Sequence, residues 1–224
     1  MFDRLKTLLG GASPGKASSA GIASRRHVEG PPFTRPSNGL DQFFTSIRDR
    51  SGLRLLDFAG ASQSNISFIT SLGHGISSAD FTRAAELAFG DDQFFENQTN
   101  PQIADEFLRE NLNFPPEHFD GALAWDSLQF LTPHLLQITV DRLYETLRPD
   151  SYLLAFFHAN EKLREVPVYN YRIQDQKTLQ LTQRALRPQA QFFNNRALEK
   201  LFHRYHSVKF FLTRDNLREI IVRR

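Results

Sequence analysis

The sequence contains no cysteine, and it has only one methionine and one tryptophan among 224 residues. Without thiols the chain can form no disulfide, no thiolate metal site and no cysteine nucleophile, a composition that suits the cytoplasm. No apolar run approaches the roughly 18 residues that a membrane-spanning helix needs. The formal net charge of +2 is too small to favour nucleic acid as a partner. These absences predict a cytoplasmic, soluble protein without a transmembrane segment.

Phenylalanine is abundant where methionine and tryptophan are scarce. The chain has 21 phenylalanines, and hydrophobic residues make up 40% and charged residues 23% of it. This is the composition of a globular protein, and the length suits one sizeable core better than two domains. We therefore expect a single core packed around phenylalanine side chains.

The chain divides near residue 40 into a leader and a folded domain. Residues 10–39 are rich in Gly, Ser, Pro and Ala. Such a segment buries too little apolar surface to offset the entropy lost on ordering, so residues 1–39 are predicted to be a flexible leader. Residues 40–224 are predicted to form the α/β domain.

The hydrophobic pattern of residues 40–224 alternates between strands and helices. Strands are predicted at 53–58, 75–80, 120–125 and 151–157, with helices between them and a turn at 148–150 that ends the helix opened by Pro133. Alternating residues on both sides of a polar turn predict an inserted β-hairpin around 168–183. Two final strands around a short polar turn predict an antiparallel pair. The pattern as a whole predicts a mostly parallel sheet with a C-terminal antiparallel hairpin.

Residues 53–80 are the most informative part of the chain. An apolar strand ends in Asp57, a turn of small residues follows, and a second strand after the next helix ends in Asp80. This arrangement is typical of nucleotide sites in α/β proteins. The turn, FAGASQS, supplies neither the G-x-G-x-x-G of dinucleotide oxidoreductases nor the G-x-S-x-G of hydrolases, and the Gly-Lys-Ser/Thr phosphate loop is absent.

Several segments in the correct order resemble the class I S-adenosylmethionine-dependent methyltransferases over residues 40–224. They are LLDFAGASQSNI, GHGISSAD, NFPPEHFDGALAWDSLQFL and LYETLRPDSYLLAFF, followed by VKFFLTRDNLREIIVRR at the end of the fold. The resemblance implies a Rossmann-like methyltransferase sandwich and S-adenosylmethionine as cofactor. It also implies a small-molecule or protein group as methyl acceptor.

The resemblance further implies a set of cofactor-binding residues. Asp57 matches the acid that organises the amino-acid end of the cofactor, and Asp80 matches the acid that binds the ribose hydroxyls. The turn over which the methionine part passes is formed by Ala59, Gly60, Ala61 and Ser62. Ala59 and Ala61 stand where the family usually has glycine, and Gln63 stands at the third glycine position. A positive φ at either alanine would cost about 1 to 2 kcal/mol of conformational free energy.

An adenine-binding acid is implied near Leu108, on a third strand, but this segment has a helical pattern. Glu106 and Glu110 are the nearest candidates, and the spacing does not decide between them.

The residues after the fourth and fifth strands are candidates for the substrate side of the site. Trp125 could stack on a flat ligand, Asp126 could orient or deprotonate a nucleophile, and His158 could act as a base. The alternatives are a core tryptophan, a helix-capping aspartate and a structural histidine. His203 and His206 lack nearby carboxylates, so no metal site is predicted.

Two functions are consistent with these patterns. The first is methyl transfer from S-adenosylmethionine to a small molecule or protein; the second is a catalytically silent methyltransferase-like domain that binds or scaffolds a partner. The inserted hairpin would cover the site or mediate a homodimer. A third possibility, nucleic-acid modification, depends on basic residues near the C-terminus, for which a solvated sheet edge is the favoured explanation; these are Lys209, Arg214, Arg218, Arg223 and Arg224.

Overall fold

A computed structural model describes residues 26–27, 29–160, 162–213 and 215–224. The predicted leader therefore lies outside the described residues up to residue 25. In the described part of the chain the strands are β1 (Arg26–His27), β2 (Phe33–Pro36), β3 (Arg54–Asp57), β4 (Gly75–Ser78), β5 (Phe119–Trp125), β6 (Leu147–His158), β7 (Glu165–Asp175), β8 (Thr178–Pro188), β9 (Ser207–Leu212) and β10 (Leu217–Arg223).

The helices lie mostly between the strands of the predicted nucleotide-type unit. They are α1 (Asn38–Ile47), α2 (Gln63–Ser71), α3 (Phe81–Phe89), α4 (Phe94–Asn97), α5 (Pro101–Asn111), α6 (Pro133–Thr146) and α7 (Asn195–Leu201), with a short 3-10 helix at Ser127–Phe130. Asn100 caps α5 through a bond from the Gln102 N–H, and Asn194 caps α7 in the same way from the Ala197 N–H. Asparagine suits both positions, because its side chain accepts readily at helix starts.

Six strands form the main sheet in the order β4-β3-β5-β6-β10-β9. β4, β3, β5 and β6 are parallel, whereas β10 is antiparallel to both of its neighbours. The predicted class I methyltransferase architecture, a mostly parallel sheet with a C-terminal antiparallel hairpin, is thus confirmed. Since parallel strands end at one edge of a sheet, the ends of β3, β5 and β6 come together there.

The implied third strand is not found in the described part of the chain. The segment between β4 and β5 forms α3, α4 and α5, and β4 is the outer strand of the main sheet. The physical reason is the helical spacing of large residues: Phe81, Phe89 and Phe107 are buried and pack ring against ring. The buried residues of α3 recur at helical intervals and would fall on both faces of an alternating strand; they are Phe81, Thr82, Ala85, Glu86 and Phe89.

The core is built around phenylalanine, as predicted. Every residue of β5 is buried, and α1 packs on this strand with Phe43. Gly121 is required at the contact, because a Cβ at this position would lie 2.8 Å from Phe43 Cζ. Such a contact is closer than packed side chains allow.

A second, antiparallel sheet is formed around the inserted hairpin. β7 pairs with one edge of β8, and β2 and β1 pair with the other edge of β8 in succession. We call these four strands the cover sheet. The hairpin was predicted, whereas β2 was not, because it lies within the predicted leader. Its four residues include a proline and bury only Arg35, so they carry no apolar alternation.

The predicted turn at 148–150 is a bulge within a strand. β6 begins at Leu147, directly after α6, and its pairing with β5 shifts between Phe119 and Gly121. Asp150 takes a φ of 62° there, and its carboxylate accepts a bond from Arg223 Nη2 at 2.6 Å.

Among the helices of the described residues, none is long and apolar enough to cross a bilayer.

Candidate functional site

Asp57 lies at the end of β3 and is completely buried. Its Oδ1 accepts hydrogen bonds from Trp125 Nε1 at 2.6 Å and from the Ala59 N–H at 3.0 Å. Its Oδ2 accepts a bond from Asn65 Nδ2 at 2.9 Å. Burial raises the pKa of Asp57, and these three hydrogen bonds lower it in part. Both oxygens of the predicted cofactor acid are thus bound to neighbouring protein groups.

Trp125 covers Asp57 from the end of β5. It is buried, and its ring stacks on Tyr171 of the cover sheet with centroids 5.0 Å apart and planes 11° from parallel. The backbone of Trp125 has a φ of 51°, next to a register shift between β5 and β6. A bulky residue at positive φ is strained by about 1 to 3 kcal/mol, so its contacts must hold it there. The predicted substrate-facing tryptophan therefore forms a packed layer with Tyr171.

The turn after β3 places its left-handed residue at the glycine. Gly60 has a φ of 79°, whereas Ala59 and Ala61 do not have positive φ. A Cβ at Gly60 would lie 3.1 Å from Asp80 Cβ, which is a second reason for glycine at this position. Ser62 ends the turn as the N-cap of α2. The two alanines are therefore not strained.

The turn after β3 is bonded to the turn after β4. Ala59 and Asp80 form an antiparallel bridge, and the Gly60 N–H donates to the Ala79 carbonyl at 3.2 Å. Asp80 caps α3 by accepting a bond from the Arg83 N–H at 2.9 Å, and its Oδ1 lies 3.7 Å from Arg184 Nη2 of β8. The Asp80 side chain remains 40% exposed. The predicted ribose acid thus serves as a helix cap beside the cover sheet.

Asn65 joins the cover sheet to α2. Its Oδ1 accepts a bond from the Ile173 N–H at 2.8 Å, and its Nδ2 donates to the Tyr171 carbonyl at 3.3 Å. The Asn65 carboxamide thereby pairs with backbone N–H and C=O groups of β7, as a neighbouring strand would. Ser64 Oγ also donates to the Ile173 carbonyl. Neither Asn65 nor Tyr171 was predicted from the sequence; the available signal was a polar residue, Asn65, on the apolar face of α2.

Ionic contacts join β8 of the cover sheet to α3 and the segment after it. Arg187 Nη2 lies 2.9 Å from Asp91 Oδ1 and 3.6 Å from Glu86 Oε1. The Arg187 guanidinium also lies 3.8 Å from the centroid of the Phe94 ring. Arg187 is buried, so these contacts offset the cost of removing its charge from water. The inserted hairpin therefore covers the predicted site.

Asp126 and His158 lie beneath the cover sheet. Asp126 is 2% exposed, and its Oδ2 accepts a bond from the Tyr169 N–H at 3.3 Å. Burial raises the pKa of Asp126 to about 7. Burial lowers the pKa of His158 to about 4, and its backbone N–H donates to Gln129 Oε1 at 3.0 Å. Asp126 stands at the start of the 3-10 helix but makes no side-chain capping bond.

The remaining candidates lie on other elements. Glu106 and Glu110 are exposed on α5, where Glu106 pairs with Arg109 at 3.4 Å. Among the described residues, no group of three or more His, Asp or Glu side chains could hold a metal ion. Of the basic residues near the C-terminus, Arg214 lies outside the described residues, and Arg223 and Arg224 pair with Asp150 and Glu117.

Replacing Asn65 by alanine is expected to lower the free energy of unfolding by about 1 to 3 kcal/mol, because buried backbone groups of β7 lose their partner. Urea denaturation followed by circular dichroism measures this loss. Gln63→Ala is the matched control, since Gln63 is exposed in the same helical turn and its side chain donates to Ser67 Oγ at 2.8 Å. Equal stability of both variants would show that Asn65 does not hold the hairpin.

No protein-family model matches this chain, and no curated protein matches its sequence. Solved structures do share its fold. A SAM-dependent methyltransferase from Archaeoglobus fulgidus is 11% identical and aligns over 83% of this chain and 91% of its own, with a TM-score of 0.50. The fold is that of the class I methyltransferases.

Two further structures align over most of their own chains at lower TM-scores. A SAM-dependent methyltransferase from Methanosarcina mazei is 15% identical, covering 81% of this chain and 96% of its own, with a TM-score of 0.46. The 1,6-didemethyltoxoflavin-N1-methyltransferase of Burkholderia thailandensis, solved with bound S-adenosylhomocysteine, is 13% identical. It covers 95% of this chain and 99% of its own, with a TM-score of 0.43.

The described residues do not fit S-adenosylmethionine in this arrangement. Three neighbouring donors bind the carboxylate of Asp57, and the stacked Trp125 and Tyr171 rings lie over it. The two turns that would flank the ribose are bonded to each other through Ala59 and Asp80. A cofactor would have to displace these contacts before it could reach Asp57.

Proposed function

We propose that this chain is a catalytically silent methyltransferase-like protein that binds or scaffolds a partner. The observation that carries the proposal is that protein side chains and backbone already occupy the space around the Asp57 carboxyl group. This acid accepts hydrogen bonds from Trp125 Nε1, Asn65 Nδ2 and the Ala59 N–H. Both oxygens of this acid are bonded to protein donors and need no ligand to satisfy them, so these contacts stabilise the fold.

A binding protein needs a surface for its partner, and the main sheet offers two. In the described part of the chain, β4 and β9 are each paired on one side only. Outer strands with unpaired backbone groups bind other chains by strand addition. On β9, Leu212 is also largely exposed. These two edges are therefore the surfaces that this function would use.

Isothermal calorimetry with S-adenosylmethionine and S-adenosylhomocysteine tests the proposal. We expect no saturable heat of binding up to millimolar concentrations of either compound. Saturable binding in this range would overturn the proposal.

Methyl transfer from S-adenosylmethionine to a small-molecule or protein substrate is the second candidate function. It is favoured by the retained acids Asp57 and Asp80 and by the glycine at the left-handed position of the turn. If calorimetry detects binding, Asp80→Ala should weaken it by about 1 to 3 kcal/mol, the cost of losing a charged hydrogen-bond partner. An unchanged affinity would remove Asp80 from the cofactor site.

A further inference from the structure

Asp126 is held under the cover sheet by one backbone hydrogen bond and by the nearby Tyr171 hydroxyl. Its Oδ2 accepts from the Tyr169 N–H in β7 at 3.3 Å. Among the described residues, Arg184 pairs with Asp80 and Glu86 within 4.0 Å, and no salt bridge of this length reaches Asp126. A carboxyl group buried in this way is costly to ionise, because the resulting carboxylate lacks hydration and has no close opposite charge.

We propose that ionisation of Asp126 loosens β7, so that the cover sheet closes over the site at low pH and opens more often as the pH rises. Opening would hydrate the charged carboxylate, whereas the neutral carboxyl group is stable in its buried position. The closed state binds the proton of Asp126 more tightly than the open state does, so low pH favours closing.

The titration of Asp126 supports this direction. Burial raises its pKa to about 7 from an ordinary value of 3.8, while the Tyr169 N–H, the more distant Arg184 and the Tyr171 hydroxyl lower it in part. Below about pH 4, neutral Asp126 therefore contributes its full stabilisation to the closed state. This stabilisation is lost progressively up to about pH 7, and above pH 7 the stability of the closed state no longer changes through Asp126.

Other charged groups face the same space and must be separated from Asp126. Burial raises the pKa values of Tyr169 and Tyr171, so both stay neutral near pH 7. Burial lowers the pKa of His158, which therefore favours the closed state as the pH rises and opposes Asp126. Burial also raises the pKa of Asp57. The fixed charges around this group come from β2, β8 and the segment before β10, and they are Arg35, Arg184 and Asp215.

Amide hydrogen exchange of Tyr169, measured by NMR, tests the proposal. The chain used is His158→Gln, which removes the opposing titration. After correction for intrinsic exchange, the protection factor of the Tyr169 amide should fall about tenfold per pH unit from pH 5 towards 7 and then level off. The Leu136 amide, which is bonded within α6 to Thr132, should show no such slope and serves as an internal control.

The matched variant is Asp126→Asn in the same His158→Gln chain. Its amide oxygen can still accept from Tyr169, so the protection factor should fall much less with pH than in the chain that retains Asp126. An equal slope in Asp126→Asn would overturn the proposal and assign the titration to another group, such as Asp57. A flat profile in the chain that retains Asp126 would also overturn it.

The unmodified chain provides a second measurement if His158→Gln does not fold. Between pH 6.5 and 8, where His158 has largely lost its proton, protection of Tyr169 should fall about two- to fourfold. A constant or rising protection factor over this interval would contradict the proposal.

Discussion

Trp125→Ala is expected to lower the free energy of unfolding by about 3 to 5 kcal/mol, the usual loss for truncating a buried aromatic side chain. The substitution removes the stack on Tyr171 and the hydrogen bond to Asp57, and it leaves the positive φ of this position in place. Urea denaturation followed by circular dichroism at 222 nm measures the effect without relying on tryptophan emission.

Trp125→Phe is the control for this substitution. Phenylalanine keeps an aromatic ring against Tyr171 but has no N–H to donate to Asp57. Its loss should be about 1 to 3 kcal/mol, smaller than that of alanine. A Trp125→Ala loss below about 1 kcal/mol would mean that Trp125 is not packed in a closed layer.

Glu219→Ala is the second substitution with a large expected effect, a loss of about 3 to 5 kcal/mol. Glu219 is buried on β10, where it lies 2.8 Å from Arg35 Nη2 of the cover sheet. It also accepts bonds from Ser37 Oγ at 3.0 Å and from the Gly39 N–H at the start of α1 at 2.6 Å. Alanine would leave the buried Arg35 with the half-exposed Asp215, 3.1 Å away, as its remaining ion pair among the described residues.

Glu199→Ala is a suitable control, because Glu199 is exposed on α7. A surface change of this kind should alter stability by no more than about 0.5 kcal/mol. If Glu219→Ala were as mild as Glu199→Ala, β2 would not be anchored to the main sheet through Arg35.

The main sheet could be predicted because its signals are local. Apolar runs such as the one ending in Asp57, the caps at Asn100 and Asn194, and the two final strands each follow from neighbouring residues. The hairpin was predictable for the same reason, since its strands alternate on both sides of a polar turn.

The contacts that close the site could not be predicted, because they join distant parts of the chain. Asn65 and Ile173 are 108 residues apart, and Trp125 and Asp57 are 68 apart. β2 has no pattern of its own and forms a strand only because the edge of β8 is available to it. The turn after β3 could be predicted only in part. Its composition shows one glycine, but it does not show that Gly60 is the residue of this turn that needs a positive φ.

Titration of the chain with S-adenosylhomocysteine, followed by Trp125 emission with excitation at 295 nm, tests the central claim most directly. Trp125 is the only tryptophan in the chain, and it lies against the acid that a cofactor would have to reach. The closed arrangement predicts no saturable change in emission up to millimolar ligand. A saturable shift or quench would show that the cofactor displaces the Trp125–Tyr171 stack, and the site would then be open to S-adenosylmethionine.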